Sequence, residues 1–179
     1  MNWRAEIEAA RSHIEAHVRR TPVIAGCDLG LERPLDLKFE QMQHTGSFKP
    51  RGAFNTLLSS DVPEAGVVAA SGGNHGAAVA FAARRLGHDA TIFVPEMAGP
   101  AKIALIRETG ATCHVVPGAY AHAMEAAQAF EATSGAMQVH AYDGPATGAG
   151  QGPLAAEGGG TGLGANPGGC AGGGGGGSG

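Results

Sequence analysis

The residue of this sequence whose setting most suggests chemistry is Lys49, in the segment TGSFKPRGA. It lies between Phe48 and Pro50 and among small residues. A lysine removed from water has a lowered pKa and can act as a nucleophilic amine. Pro50 disfavours helical backbone at the residue before it, so Lys49 is predicted to lie in the loop that precedes a helix. The other two lysines are predicted to face water: Lys38 on the polar face of a strand and Lys102 near a helix start. An exposed loop lysine is the alternative interpretation of Lys49.

A second candidate is the glycine-rich segment Ser71–Gly76, between a short apolar run and an alanine-rich stretch. Glycine lets a ligand approach the backbone closely. A helix start also offers unpaired N–H groups and a positive dipole end, which suit a carboxylate or a phosphate. Ser71 and Asn74 add side-chain donors. A tight strand-to-helix turn capped by Ser71 or Asn74 is the competing interpretation. The segment matches neither the GxGxxG nor the GxxxxGK[ST] phosphate motif.

The end of the chain is low in complexity, since many of the 31 glycines follow Glu157. Composition alone favours a flexible linker or an added tail for Gly172–Gly179. The functional alternative is a nest of backbone amides that binds a phosphate.

Metal and disulfide sites are not predicted. His13 and His17 are four residues apart on a helix, but no third ligand is evident, so a solvated helix face is favoured. The three cysteines, Cys27, Cys113 and Cys170, form no CxxC pair. This spacing excludes a disulfide framework and a zinc ribbon, and it suits a reducing compartment.

Composition narrows the function classes. The 179 residues carry 12 Lys+Arg against 16 Asp+Glu, a net charge of −4, which argues against phosphate-driven nucleic-acid binding. Hydrophobic residues make up 43%, enough for a packed core. No apolar run approaches the roughly 18 residues of a membrane span, and the charged N-terminus lacks a signal-peptide core. We therefore expect a soluble cytoplasmic protein with neither nucleic-acid nor membrane partners.

Hydrophobic periodicity predicts strands that alternate with helices. The predicted helices are 3–20, 50–58, 77–86, 100–109 and 120–133. The predicted strands are 35–40, 67–71, 90–94, 112–116 and 137–141. This order indicates βαβ units, hence an α/β fold with mainly parallel open sheets flanked by helices. Ligands of such sheets bind at the carboxyl ends of the strands, where both candidate segments are expected.

SFKxRGA followed by SxGNHG resembles the threonine/serine dehydratase family. These are pyridoxal-phosphate (PLP) enzymes of the tryptophan-synthase-β class, also called PLP fold type II. The resemblance covers most of residues 20–157 in the family's order. It continues through Phe93–Glu96, Pro100–Lys102, Val139–Asp143 and Gly150–Gly152.

The resemblance implies a role for each candidate residue. Lys49 would form the Schiff base with the cofactor, Phe48 would pack on its pyridine ring, and Asn74 would bind its ring hydroxyl. Ser71, Asn74 and His75 would hold the substrate carboxylate. The phosphate loop would be formed by Gly172, Gly173, Gly174 and Gly175.

The resemblance also implies a two-domain organisation that is present only in part. Residues 1–56 and 145–179 would belong to the larger PLP domain, with 158–179 as a glycine-rich segment, and 57–144 would form the smaller domain. The chain ends near the midpoint of the family's usual length. A full-length member is expected to be a homodimer or homotetramer.

The implied reaction is β-elimination from a small hydroxyamino acid, L-threonine or L-serine, to a 2-oxo acid and ammonia. A serine racemase or another hydroxyamino-acid lyase is the closest alternative. Racemases of the family place a serine where this chain has Gly72, which has no side chain to move a proton. An inactive fragment or binding module of the same fold is the alternative from a different class.

Overall fold

The computed structural model describes residues 2–142 and 144–158. The α-helices within them are α1 (Trp3–Ile14), α2 (Lys49–Leu58), α3 (Asn74–Leu86), α4 (Pro100–Glu108), α5 (Tyr120–Ser134), α6 (Pro145–Gln151) and α7 (Pro153–Gly158). The strands are β1 (Val23–Cys27), β2 (Leu35–Lys38), β3 (Val67–Ala70), β4 (Ala90–Pro95), β5 (Thr112–Val116) and β6 (Met137–Gln138). Two short 3₁₀ turns, Glu40–Met42 and His44–Gly46, connect β2 to α2.

A four-stranded parallel sheet with the order β5-β4-β3-β6 is the larger of the two sheets that the described residues form. Val67 of β3 lies opposite both Ala90 of β4 and Met137 of β6. The smaller sheet pairs β1 with β2 in antiparallel fashion. Parallel strands joined by helices were predicted from the alternation of elements, and the α/β fold class is confirmed.

Both faces of the parallel sheet are covered, which explains why β3 is apolar at every position. Val67 and Ala69 pack into the core on the side of α3. Val68 and Ala70 pack on the opposite side, against Ala123 and Ala127 of α5. A strand buried on both faces has no need of polar alternation.

Several element boundaries differ from those predicted. The first helix ends at Ile14 rather than at residue 20, although the apolar spacing continues to Val18. After Ile14 the chain turns, and the ring of His17 stacks on the ring of Phe54 with 5.0 Å between the ring centroids. Strand β6 has only two residues. Three elements were not predicted: β1, α6 and α7.

Helix α6 docks closely on α2 because glycine removes the side chains between them. The amide of Asn55 donates to the carbonyl of Ala146 at 2.8 Å, and the Thr56 and Thr147 hydroxyls are 2.9 Å apart. A Cβ atom on Gly150 would lie 2.6 Å from both the Arg51 carbonyl oxygen and Asn55 Cβ. Gly150, one of the glycines that hide α6 from sequence prediction, is thus also the residue that lets α6 pack on α2.

Gly150→Ala is expected to destabilise the protein by about 1–3 kcal/mol, because the new methyl group would meet the backbone of α2. Gly148→Ala on the same helix is the matched control. There the nearest atoms are ring carbons of Trp3 at 3.7 Å, an ordinary contact. Since alanine favours helix over glycine by about 1 kcal/mol, the control should be neutral or stabilising. Equal effects of the two substitutions in urea unfolding would refute this packing account.

Among the described residues, no helix is both long enough and apolar enough to cross a lipid bilayer.

Candidate functional site

Lys49 is almost completely buried, with 6% of its surface exposed. Its Nζ donates a hydrogen bond to the carbonyl of Ala141 at 3.1 Å. Two aromatic rings flank the same atom, with centroids at 3.7 Å for Tyr142 and 5.1 Å for Phe48. Burial lowers the pKa of this amine, because the charged form loses its hydration. The prediction of a desolvated lysine is therefore confirmed.

The backbone around Lys49 corrects one expectation. Lys49 is the first residue of α2 rather than part of the preceding loop. Pro50 restricts the residue before it but also fits the first turn of a helix, and the second effect prevails here. The chain enters the helix through the two 3₁₀ turns, where Thr45 has a left-handed backbone with φ of 61°. This turn directs Lys49 towards the segment that follows β6.

The segment Ser71–Gly76 joins β3 to α3, as predicted, but α3 begins three residues early, at Asn74. The hydroxyl of Ser71 accepts a hydrogen bond from the backbone N–H of Gly73 at 3.1 Å. The first intrahelical bond near this end runs from Ala77 N–H to the Gly73 carbonyl. The N–H groups of Asn74 and His75 precede that bond, so they belong to the unpaired N-terminal donors of the helix.

The side chain of His75 is buried and faces the same segment as Lys49. Its Nε2 lies 2.9 Å from the carbonyl oxygen of Val139. A carbonyl only accepts, so Nε2 carries the proton and donates it. Burial is the main cause that lowers the pKa of His75 to about 4, and the charge of nearby Lys49 adds to it. His75 is therefore neutral at pH 7, with the proton on Nε2.

Lys49 and the Ser71–Gly76 segment are thus brought together by one strand end. Lys49 binds the carbonyl of Ala141 and His75 binds that of Val139, two residues before it. Both contacts lie just beyond β6, at the carboxyl edge of the parallel sheet. These two hydrogen bonds bring the candidate segments to the same edge of the sheet.

A pH dependence follows from the buried, neutral His75. The unfolded chain binds a proton at the ordinary pKa of 6.5, whereas the folded chain resists it down to about 4. This contribution to stability is fully present above about pH 6.5 and is lost as the pH falls towards 4, a loss of about 3 kcal/mol. His75→Gln keeps a donor for Val139 and should remove this part of the dependence.

The measurement is the free energy of unfolding in urea between pH 4 and pH 8, for the wild type and His75→Gln. The wild-type advantage should shrink as the pH falls. A difference between the two proteins that stays constant across this range would contradict the buried neutral state.

A buried network of ion pairs, which sequence reasoning missed, surrounds Arg51, two residues after Lys49. Arg51, fully buried, binds both carboxylate oxygens of Glu40 at 2.8 and 2.9 Å. It also binds Glu157 of α7 at 2.8 and 3.0 Å. Burial opposes ionisation of Glu157, but hydrogen bonds from Arg51 and Lys38 outweigh it and hold its pKa below the ordinary value. The network ties the start of α2 to β2, to the first 3₁₀ turn and to α7.

Lys38 belongs to this network and corrects a second expectation. Its side chain is buried and not on a wet strand face, and its Nζ lies 2.8 Å from Glu157 and 3.7 Å from Glu40. Lys38 and Lys49 are therefore both buried, but in opposite electrostatic settings. Two carboxylates form ion pairs with Lys38, whereas no carboxylate among the described residues forms an ion pair with Lys49.

The other candidates take no part in this site. His13 lies 3.3 Å from the Asn55 amide oxygen, and His17 stacks on Phe54. Within residues 2–142 and 144–158, no three metal-ligating side chains are grouped. The predicted phosphate loop, Gly172–Gly175, lies outside the described residues.

Comparison with known proteins agrees with the resemblance noted in the sequence. The chain is 38% identical over 157 residues to the catabolic L-threonine dehydratase of Staphylococcus aureus (strain USA300), and the match covers 85% of this chain and 45% of that protein. Two solved structures have a similar fold. The maize serine racemase matches with a TM-score of 0.80 and 31% identity, over 86% of this chain and 48% of that one. A threonine deaminase from T.th. matches with a TM-score of 0.78 and 36% identity, over 86% and 49%.

The chain spans about half the length of the relatives that it matches. The structural neighbours confirm PLP fold type II for the part that the chain contains. A family model described as pyridoxal-phosphate dependent enzyme matches residues 14–179. The chain therefore belongs to the family of pyridoxal-phosphate dependent enzymes.

Proposed function

We propose that the protein catalyses β-elimination of L-threonine, L-serine or both, releasing a 2-oxo acid and ammonia. The observation that carries this proposal is the setting of Lys49: a buried amine with a lowered pKa, free of ion pairs within the described residues and close to the N-terminus of α3. A relative named as a threonine dehydratase and a neighbour named as a threonine deaminase support the reaction.

The residues around Lys49 fit pyridoxal phosphate. A buried amine of lowered pKa suits the cofactor's aldehyde, and the flanking ring of Phe48 offers an apolar contact for a flat pyridine. The hydroxyls of Thr45 and Ser47 are buried without a hydrogen-bond partner among the described residues, which leaves polar groups available to a ligand. Asn74 at the start of α3 provides an amide donor for the ring hydroxyl. We assign the phosphate to Gly172–Gly175 on the resemblance alone.

When bound, the cofactor supplies a conjugated ring that stabilises negative charge at the substrate α carbon. The protein must supply the base. We propose that Lys49 would hold the cofactor and that its free Nζ would remove the α proton of the substrate. Burial without a carboxylate partner among the described residues favours the neutral amine that this step requires. The carbonyl of Ala141 and the ring of Tyr142 hold Nζ in place.

The Ser71–His75 segment is proposed to hold the substrate carboxylate. Its donors are the Ser71 hydroxyl, the Asn74 amide and the backbone N–H groups at the start of α3, where the helix dipole favours an anion. The role of His75 is more specific than its motif suggests. Its side-chain proton is directed to Val139, so His75 contributes through its backbone N–H and by fixing the loop.

Elimination is favoured over racemisation by Gly72. Racemisation needs a second acid or base on the opposite face of the substrate, and glycine has none. The site has room for a side chain at this position, because a Cβ on Gly72 would meet only Pro95 Cγ, at 3.7 Å, among the described residues. Serine racemase is the second candidate, since the maize enzyme shares the fold. A binding module without turnover is disfavoured by the intact setting of Lys49.

We further propose the division implied by the resemblance: residues 1–56 and 145–179 in the larger domain and 57–144 in the smaller one. The separate β1–β2 sheet and the docking of α6 on α2 support it. A homodimeric or homotetrameric full-length enzyme is proposed on the same resemblance, and a cytoplasmic location on the composition.

Incubation of the PLP-loaded protein with L-threonine and L-serine tests the reaction. We expect stoichiometric 2-oxo acid and ammonia, and no D-serine by chiral chromatography. Accumulation of D-serine as the main product would establish the racemase instead. Cofactor binding without any change of either amino acid would favour the binding module.

A further inference from the structure

The exposed lysine Lys102 lies against the carboxylate-binding segment, although the two are far apart in sequence. A Cβ atom on Gly73 would lie 3.0 Å from both Cδ and Nζ of Lys102. The ammonium group therefore rests on the backbone in the middle of Ser71–His75. The position of Lys102 in the sequence predicts only a solvent-exposed helix face. The packing of α4 beside α3 places Gly73 next to its side chain.

The position of Lys102 is electrostatically unfavourable within its own helix. It is the third residue of α4, which begins at Pro100 after the cap residue Gly99. The start of a helix carries a partial positive charge, so a lysine there is repelled by roughly 0.3–1 kcal/mol. The first turn of α3 adds a second positive end close to the same ammonium.

The described residues supply no ion-pair partner for this ammonium, since none of the pairs in that part of the chain includes Lys102. Lys38, in contrast, has two carboxylate partners. The start of α3 and the ammonium group of Lys102 thus lie together at Gly73, and no carboxylate among the described residues pairs with the lysine. This local excess of positive charge suits an anion.

We propose that Lys102 is a further carboxylate-binding residue of the site, which pairs with the α-carboxylate of the amino-acid substrate at the mouth of the Ser71–His75 segment. This inference rests on the proposed function. Because Lys102 is exposed, water and salt weaken its contribution, and its loss should reduce affinity without abolishing turnover.

Equilibrium binding of glycine and of glycinamide to the PLP-loaded protein tests this role by calorimetry. Glycine has no β-hydroxyl group to eliminate, and glycinamide lacks the carboxylate. For Lys102→Gln we expect the Kd of glycine to rise about fivefold, with a weaker salt dependence, and the Kd of glycinamide to stay unchanged. Lys102→Arg should recover most of the glycine affinity.

Arg107→Gln is the matched control, because it removes one positive charge at the opposite end of α4. It should leave both dissociation constants unchanged. Equal weakening of glycine and glycinamide by Lys102→Gln, or no change in either, would overturn the role of Lys102 while leaving the proposed function intact. A wild-type protein that binds neither ligand would overturn both.

Discussion

Replacing Lys49 with alanine is expected to reduce kcat for L-threonine by at least about 1000-fold, since the variant loses the amine that we propose as the base. The steady-state release of 2-oxo acid measures this loss. The fold should survive, because Lys49 makes no ion pair within the described residues and its removal relieves the burial of an amine. Thermal unfolding of the same preparation checks that point.

Lys49→Arg distinguishes loss of the proton-accepting amine from loss of a positive charge at the site. Arginine retains a cation at the site but does not lose its proton at neutral pH. It should therefore be as inactive as the alanine variant. If either variant kept activity within tenfold of the wild type, Lys49 would not be the base.

Replacing Glu40 with glutamine is expected to lower the free energy of unfolding by about 3–5 kcal/mol, because it leaves a net positive charge buried in the network. Glu40 is fully buried and accepts from Arg51 and Thr21. Glutamine preserves the shape of the side chain but not its charge. Urea unfolding at neutral pH is the measurement.

The exposed pair of Glu8 and Arg11 provides the control for this substitution. Arg11 Nη2 lies 2.8 Å from Glu8 Oε1, a distance similar to those in the buried network, but both side chains are more than half exposed. Glu8→Gln should therefore cost less than about 1 kcal/mol. A comparable loss in the two variants would mean that the buried network does not organise the start of α2.

The parallel sheet was predictable because its signals are local. Short apolar runs separated by turn residues identify β3, β4 and β5, and the alanine-rich stretch identifies α3. Helix α6 was not predictable, since glycine disfavours helix in isolation by about 1 kcal/mol per residue. Contact with α2, where Gly150 permits close approach, compensates for that cost.

The sequence argument identified Lys49, but the reason that it used was incomplete. Lys49 was singled out as the one lysine removed from water, yet Lys38 is buried as well. The two differ in their partners, and the nearer carboxylate partner of Lys38 is Glu157, near the other end of the described chain. Local sequence pattern carries no signal for such a distant pair. The hydrogen bond of the His75 side chain escaped prediction for the same reason, because its acceptor is the distant carbonyl of Val139.

The central claim is that Lys49, among the three lysines, holds the cofactor. It is tested most directly by borohydride reduction of the PLP-loaded protein, followed by peptide mass spectrometry. Reduction fixes the cofactor on the amine that carries it. We predict a single adduct on the peptide that contains Lys49, absent in Lys49→Ala. An adduct on Lys38 or Lys102, or no adduct in a protein that binds the cofactor, would contradict the account.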